Sequence, residues 1–277
     1  MDIYFGIDGT GPSNNDEYRT DFTNSFVRKI WSTWAAGNAG YLRGPSLLGS
    51  ETAGLAGEGT RWIVNRVRDL EKTKQPTRLF LSGYSRGGAA IVEVANQLKS
   101  QGIKVHCMML FDAVDRSNLG STDVIPSNVT LAYHAMRDPK AASREIFGNC
   151  ATRAAGGVAY TSKTFFCTHG AMGGTPWTTA GEHGRIREVD GSQRTGARAV
   201  AGAVGRVIGG PLFGPMGERL GQAGADVVIE TNVTLEQERA GSAAVWKWMS
   251  DNLTLARSQA LAASNVPLAA AGRAFSV

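Results

Sequence analysis

Leu79-Phe80-Leu81-Ser82-Gly83-Tyr84-Ser85-Arg86-Gly87-Gly88-Ala89-Ala90 is the stretch whose reading decides the fold. Its opening apolar run predicts a buried strand that stops at Gly83. Ile91, Val94, Ala95 and Leu98 then fall at i, i+3, i+4 and i+7, one face of a helix. A serine with glycine two positions to either side, between strand and helix, predicts a turn too tight for side chains at Gly83 and Gly87. Ser85 is left at the tip, where the helix N-terminus and the Arg86 amide can face a developing oxyanion. The plainer alternative is a glycine-rich strand–helix turn without chemistry.

Outward from that turn, strand and helix patterns alternate. Ile3, Phe5 and Ile7 share one strand face, and the run ends at Asp8-Gly9-Thr10-Gly11. Ser13 to Tyr18 reads as polar loop. Thr20 or Asp21 is expected to cap a helix burying Val27, Ile30, Trp31 and Trp34. Tyr41 to Pro45 reads as a short strand, the glycines from Gly44 to Gly59 as a loop, and Ile63, Val67 and Leu70 as the inner face of a second helix. Beyond the Ser85 helix, Ile103–Phe111 is a continuous apolar run of the kind buried on both faces, ending at Asp112. Asp123 to Pro126 reads as a turn. Val129–Met136 and Thr164–Cys167 read as further strands, which end at Asp138 and His169. Thr234 with Gln237 three residues on is a capping box, opening a last helix that buries Val245, Trp248, Met249 and Leu253.

Residues 175–233 differ in composition. Ala199–Gly217 holds six glycines, two prolines, one arginine and no acid. Small residues recurring at Ala197, Ala201, Gly205 and Gly209 suit a close-packed helix, a lid or a surface that dips into lipid; a flexible cover without a lipid role is the plainer reading. The 277 residues are expected to form one domain, 1–277, with 175–233 as a lid or variable segment inserted in it.

Composition bounds the function. With 42% hydrophobic residues and a net charge of +5, the chain suits a soluble globule with a sizeable core. Its lysines and arginines are scattered, which argues against a nucleic-acid partner. The N-terminal residues enter a strand pattern directly, so no cleaved secretory signal is expected, and no window has the length and apolarity of a spanning helix. Cys107, Cys150 and Cys167 are an odd number and lack metal-ligand spacing; two of them lie in strand-like runs and suit core thiols in a reducing compartment, and no metal and no cofactor are expected.

Strands alternating with helices argue for a parallel sheet, whose ligands bind at the carboxyl ends of the strands. Asp8, Ser85, Asp112, Asp138 and His169 all fall there. Serine needs an adjacent base held by a third group. Of the four histidines, His106 and His134 lie inside strands and suit the core, His183 is a lesser rival, and His169, before Gly170, Gly173 and Gly174, suits the base. The orienting acid is Asp112 or Asp138, with Asp115 a remote third. The Arg86 amide needs a partner oxyanion donor, which Gly9 or Thr10 can supply, with Asp8 positioning their loop.

These residues resemble a known family. Phe5-Gly6-Ile7-Asp8-Gly9-Thr10, Gly83-Tyr84-Ser85-Arg86-Gly87-Gly88, Phe111-Asp112-Ala113-Val114, Ala132–Asp138 and Thr168–Gly174 occur in the order and form of an α/β-hydrolase domain family that includes the type VI secretion lipase and phospholipase effectors. The resemblance implies an α/β-hydrolase-like three-layer sandwich, with a mostly parallel sheet, helices on both faces and the Gly/Ala-rich insertion. It implies a serine esterase acting on phospholipid or another acyl ester, with Ser85 as nucleophile, Asp112 as acid and His169 as base; Asp138 matches another of the family's acids. It also implies a membrane-surface substrate, export by a signal-independent route and a cognate immunity protein. Ala171 stands where the family carries an acid two residues after the histidine.

Three other readings compete. One is an esterase of soluble substrates. Another is a catalytically idle α/β-hydrolase fold used for binding. A remote third is nucleotide binding, since Gly6–Gly11 looks like the phosphate loop of actin-like ATPases; that loop requires a second strand directly after it, where this chain has polar residues.

Overall fold

The computed structural model describes the chain except for residues 47–50, 75, 116–118, 120–121, 145–147, 182, 190–227 and 260–277. The Ala199–Gly217 segment therefore lies outside the described residues. In chain order the elements are β1 (Asp2–Ile7), α1 (Asn15–Asp21), α2 (Phe26–Trp31), β2 (Ala39–Leu42), α3 (Thr52–Lys72), β3 (Arg78–Tyr84), α4 (Arg86–Ser100), β4 (Val105–Phe111), β5 (Val124–Ile125), β6 (Val129–Arg137), β7 (Arg153–Ala154), β8 (Ala159–Phe165), α5 (His169–Met172), β9 (Arg185–Val189), β10 (Val228–Thr234) and α6 (Leu235–Ser258).

The main sheet has the order β2-β1-β3-β4-β6-β8, and every neighbouring pair in it is parallel. Side chains alternate across it, as the pleat requires. Ile3, Phe5, Ile7, Leu79, Leu81, Met108 and Leu110 pack under α3 and α4. Tyr4, Phe80, Cys107, Met109, Phe111 and Tyr133 pack with Phe22, Phe26, Val27, Val245 and Met249 from the opposite layer. The result is the three-layer α/β-hydrolase-like sandwich. Each fully buried Leu, Ile or Phe contributes about 1.5–3 kcal/mol of burial free energy, so β3 and β4, buried along their whole length, anchor the sheet.

The chain leaves β1 toward β2 on one side and returns to β3 on the other. That reversal makes the carboxyl ends of β1 and β3 a switch point, where the flanking crossovers diverge and leave a crevice. Gly9 follows the first of these strands and Ser85 the second.

Several local expectations are corrected. The polar stretch before Tyr18 is helical: Asn14 caps α1 by accepting the Asp16 and Glu17 amides. The cap of α2 is Ser25, not Thr20 or Asp21. From Thr52 on, the Gly44–Gly59 stretch belongs to α3, and the missing side chain at Gly59 admits the Phe5 ring, which a Cβ would meet at 2.6 Å. Residues 124–125 form a short strand on Arg153–Ala154. The last main strand, β8, begins five residues before the expected Thr164. The capping box at Thr234 and Gln237 is present. β9 and β10 pair antiparallel, Val189 opposite Val228.

Candidate active site

Ser85 sits between β3 and α4 with φ 55° and ψ −129°, a left-handed conformation that costs a non-glycine residue about 1–3 kcal/mol. The neighbours enforce it. A Cβ on Gly87 would lie 2.1 Å from the Asp8 carbonyl oxygen and 2.4 Å from that of Ile7; one on Gly83 would lie 2.5 Å from the Gly87 carbonyl oxygen. The elbow is thus pressed against the end of β1, and only glycine permits it.

Ser85 Oγ lies 2.9 Å from His169 Nε2, and His169 Nδ1 lies 2.6 Å from Asp112 Oδ2. With Asp112 ionised, this network assigns the proton to Nδ1 and leaves Nε2 to accept from the serine hydroxyl. His169 opens α5 rather than standing in a loop, and Thr168 caps that short helix. Three contacts hold the imidazole: the His169 amide donates to Ser143 Oγ (2.8 Å), Tyr84 Oη donates to the His169 carbonyl (2.9 Å), and the Tyr84 ring lies 5.1 Å from the imidazole. Behind Thr168, the fully buried Glu238 on α6 accepts its amide, its hydroxyl and the Trp177 amide.

Asp112 is fully buried and takes φ 45°. It accepts from His169, from Arg137 Nη1 (2.6 Å), from Asn149 Nδ2 (2.7 Å) and from the Arg137 amide (3.2 Å). Burial opposes its charge, but Arg137 and His169 outweigh burial and hold the carboxyl well below the usual range. Burial pushes His169 down to about 4, against the raising effect of Asp112.

The other expected residues fall as follows. Asp138 caps a turn of 3₁₀ helix at Pro139–Ala141 by accepting the Lys140 amide, so the carboxylate bonded to His169 is that of Asp112. Asp115 accepts from the Leu119 amide and the Thr122 hydroxyl, a loop cap. Asp8 is fully buried and accepts from the Gly9 amide (2.9 Å), Tyr41 Oη (3.0 Å) and Ser25 Oγ. It positions the loop after β1, and burial raises its pKa to about 6. That contact corrects the expectation for Gly9, whose N–H points at Asp8 and so is engaged before any oxyanion could use it. Thr10 Oγ1, in the same loop, is buried without a hydrogen-bond partner among the described residues. Arg86 opens α4, so its amide belongs to the helix's first turn.

His106 and His134 are core residues. The His134 ring accepts the Ala113 amide and faces the Ala151 carbonyl, and His106 Nε2 lies 2.9 Å from the Ala256 carbonyl. His183 is exposed beside Glu230, 3.5 Å away. The three cysteines are buried and unpaired. Among the described residues no three His, Cys, Asp or Glu side chains converge on a metal position, and no helix is long and apolar enough to cross a membrane.

Sequence reading missed Arg137, Ser143, Asn149 and Glu238. Only Arg137 carried a signal, standing at a strand's carboxyl end beside Asp138.

Fold and site together define a chain with a hydrolase-like architecture and a serine–histidine–aspartate line at its switch point. No family model matches the chain, and no curated protein does. Among solved structures it is similar to the Tle1 effector bound to the VgrG spike of the type 6 secretion system, with 13% identity, a TM-score of 0.45, and coverage of 93% of this chain and 73% of that one. An uncharacterized protein from Pseudomonas aeruginosa follows, with 14% identity, a TM-score of 0.41, and 89% and 51% coverage. A cutinase-like protein from Cryptococcus sp. aligns over 45% of this chain and 60% of its own, at 20% identity and a TM-score of 0.24.

Proposed function

We propose that the chain is a serine ester hydrolase, working through an acyl-enzyme at Ser85, with long-chain acyl esters, phospholipids among them, as its substrate class. The observation that carries the chemistry is the unbroken line Ser85 Oγ–His169 Nε2, His169 Nδ1–Asp112 Oδ2 at 2.9 and 2.6 Å. Ser85 Oγ attacks the acyl carbonyl carbon while His169 Nε2 takes its proton, and Asp112 steadies the imidazolium. The tetrahedral oxyanion lies at the start of α4, facing the Arg86 amide. With the Gly9 amide engaged by Asp8, the second donor from that loop is Thr10, whose buried hydroxyl has no other partner among the described residues. His169 then hands its proton to the leaving alcohol, and water, deprotonated by the same nitrogen, releases the acid.

One domain over 1–277, with an insertion at 175–233, remains our reading of the chain's organisation. The described base of that insertion is the β9–β10 ribbon. From β9, Glu188 accepts the Ser143 hydroxyl, and Ser143 holds the His169 amide.

The test is hydrolysis of p-nitrophenyl esters of short and long acyl chains and of phospholipid vesicles, across pH. Since His169 is held down to about 4, the base stays neutral above that pH. We expect kcat/KM to fall on acidification with a limb near pH 4 rather than near 6.5, and long chains to be preferred. Activity on soluble esters alone would remove the lipid assignment. Absence of hydrolysis of every ester would remove the enzyme.

A further inference from the structure

Asp112 is bonded to more than its histidine. The same oxygen, Oδ2, faces His169 Nδ1 at 2.6 Å and Arg137 Nη1 at 2.6 Å. Arg137 is the last residue of β6, the strand beside β4, and the register that pairs Phe111 with Ala135 brings its backbone amide to Asp112 Oδ1. Its guanidinium is buried and fixed: Nε donates to the Ser143 carbonyl at 2.9 Å and Nη2 to the Arg144 carbonyl at 3.0 Å. Ser143 in turn holds the His169 amide through its hydroxyl. One arginine thus grips both the acid and the loop against which the base rests.

A carboxylate whose only cation is the imidazolium gives it its full charge. Here the carboxylate is already neutralised by a guanidinium in low dielectric, where such an interaction is strong. We propose that Arg137 is a positioning residue that shares Asp112 with His169, weakening the hold of the acid on imidazolium and thereby fitting the site for work in acidic surroundings. It touches neither serine nor substrate and acts through Asp112.

The other groups around the imidazole do not substitute for it. Tyr84 and Ser85 face it from the end of β3, and Arg144 adds a second positive charge from the loop after β6. Glu188 on β9 accepts the Ser143 hydroxyl and lies 3.8 Å from Arg144 Nε, and Glu238 on α6 accepts the Thr168 hydroxyl. Asp8, after β1, accepts from the Gly9 amide, Tyr41 and Ser25.

The inference rests on the reading of His169 as base, but its test needs no turnover. The ring of His169 is titrated by NMR in protein labelled with ¹⁵N-histidine, its signal assigned with His169→Gln, in wild type, Arg137→Gln and Arg137→Lys. Arg137→Gln is expected to raise the His169 pKa by about one unit or more, and the acid limb of kcat/KM by the same amount. Arg137→Lys, which keeps the cation, is expected to stay within about half a unit of wild type. A folded Arg137→Gln protein with an unmoved titration overturns the proposal, as does a rise of a full unit in Arg137→Lys. Should Arg137→Gln fail to fold, wild type itself decides: a His169 ring that titrates at or above the usual histidine value of about 6.5 overturns the proposal. A wild type without esterase activity but with the expected shift would sink the proposed function and leave the charge sharing standing.

Discussion

Ser85→Ala is expected to lower kcat/KM for any hydrolysed ester by about 10³- to 10⁶-fold, with circular dichroism and melting temperature close to wild type. The alanine keeps a Cβ in the same strained backbone and removes only the oxygen that His169 Nε2 meets at 2.9 Å. His169→Ala is expected to cost about as much, and the double variant little more than either single one, because nucleophile and base act as one unit. A loss under tenfold in Ser85→Ala would place the chemistry elsewhere.

The second large effect is structural. Gly87→Ala puts a methyl 2.1 Å from the Asp8 carbonyl oxygen and 2.4 Å from that of Ile7. Both obstacles are backbone, so no side chain can swing aside. Either β1 and α4 separate or the elbow opens, and Asp8, with its bonds to Gly9, Tyr41 and Ser25, moves with β1. We expect a loss of about 3 kcal/mol or more, or insoluble expression. Gly54→Ala is the control. It lies in α3, where an added Cβ meets open space, and should stabilise by about 0.5–1 kcal/mol. Urea melts of both variants check the pair. Equal midpoints for Gly87→Ala and wild type would show that the elbow is looser than described.

How much of this was legible in the chain follows from where each signal lives. The β3–α4 unit is readable because its cause is local: an apolar strand, two glycines demanded by one turn, then a period of 3.6. Asp112 and His169 are readable as polar residues at the ends of strand runs. Asp112 could not be preferred to Asp138 on pattern, since both stand at strand ends. What separates them is that β4 adjoins β3 in the sheet order, while Asp138 turns away to cap its own 3₁₀ turn.

α1 was unreadable because only Tyr18 on it is buried, stacked on Phe22, so the helix carries no apolar stripe. α3 was obscured by its glycines, of which Gly59 has a tertiary reason, the Phe5 ring, while Gly54 faces open space. β8 is an edge strand with Thr161, Ser162, Lys163 and Thr164 exposed, a polar sequence that protects an edge and reads as loop. Arg137 looks like a solvated strand end in sequence and is buried against Asp112 in space.

The central claim is that the Ser85 hydroxyl is activated by His169, and labelling with a fluorophosphonate measures it most directly. Intact mass and peptide mapping should show one adduct, on Ser85, in wild type. His169→Ala should slow labelling by about 10³-fold or more. Wild-type protein that stays unlabelled, or labels at full rate without the imidazole, would contradict the account.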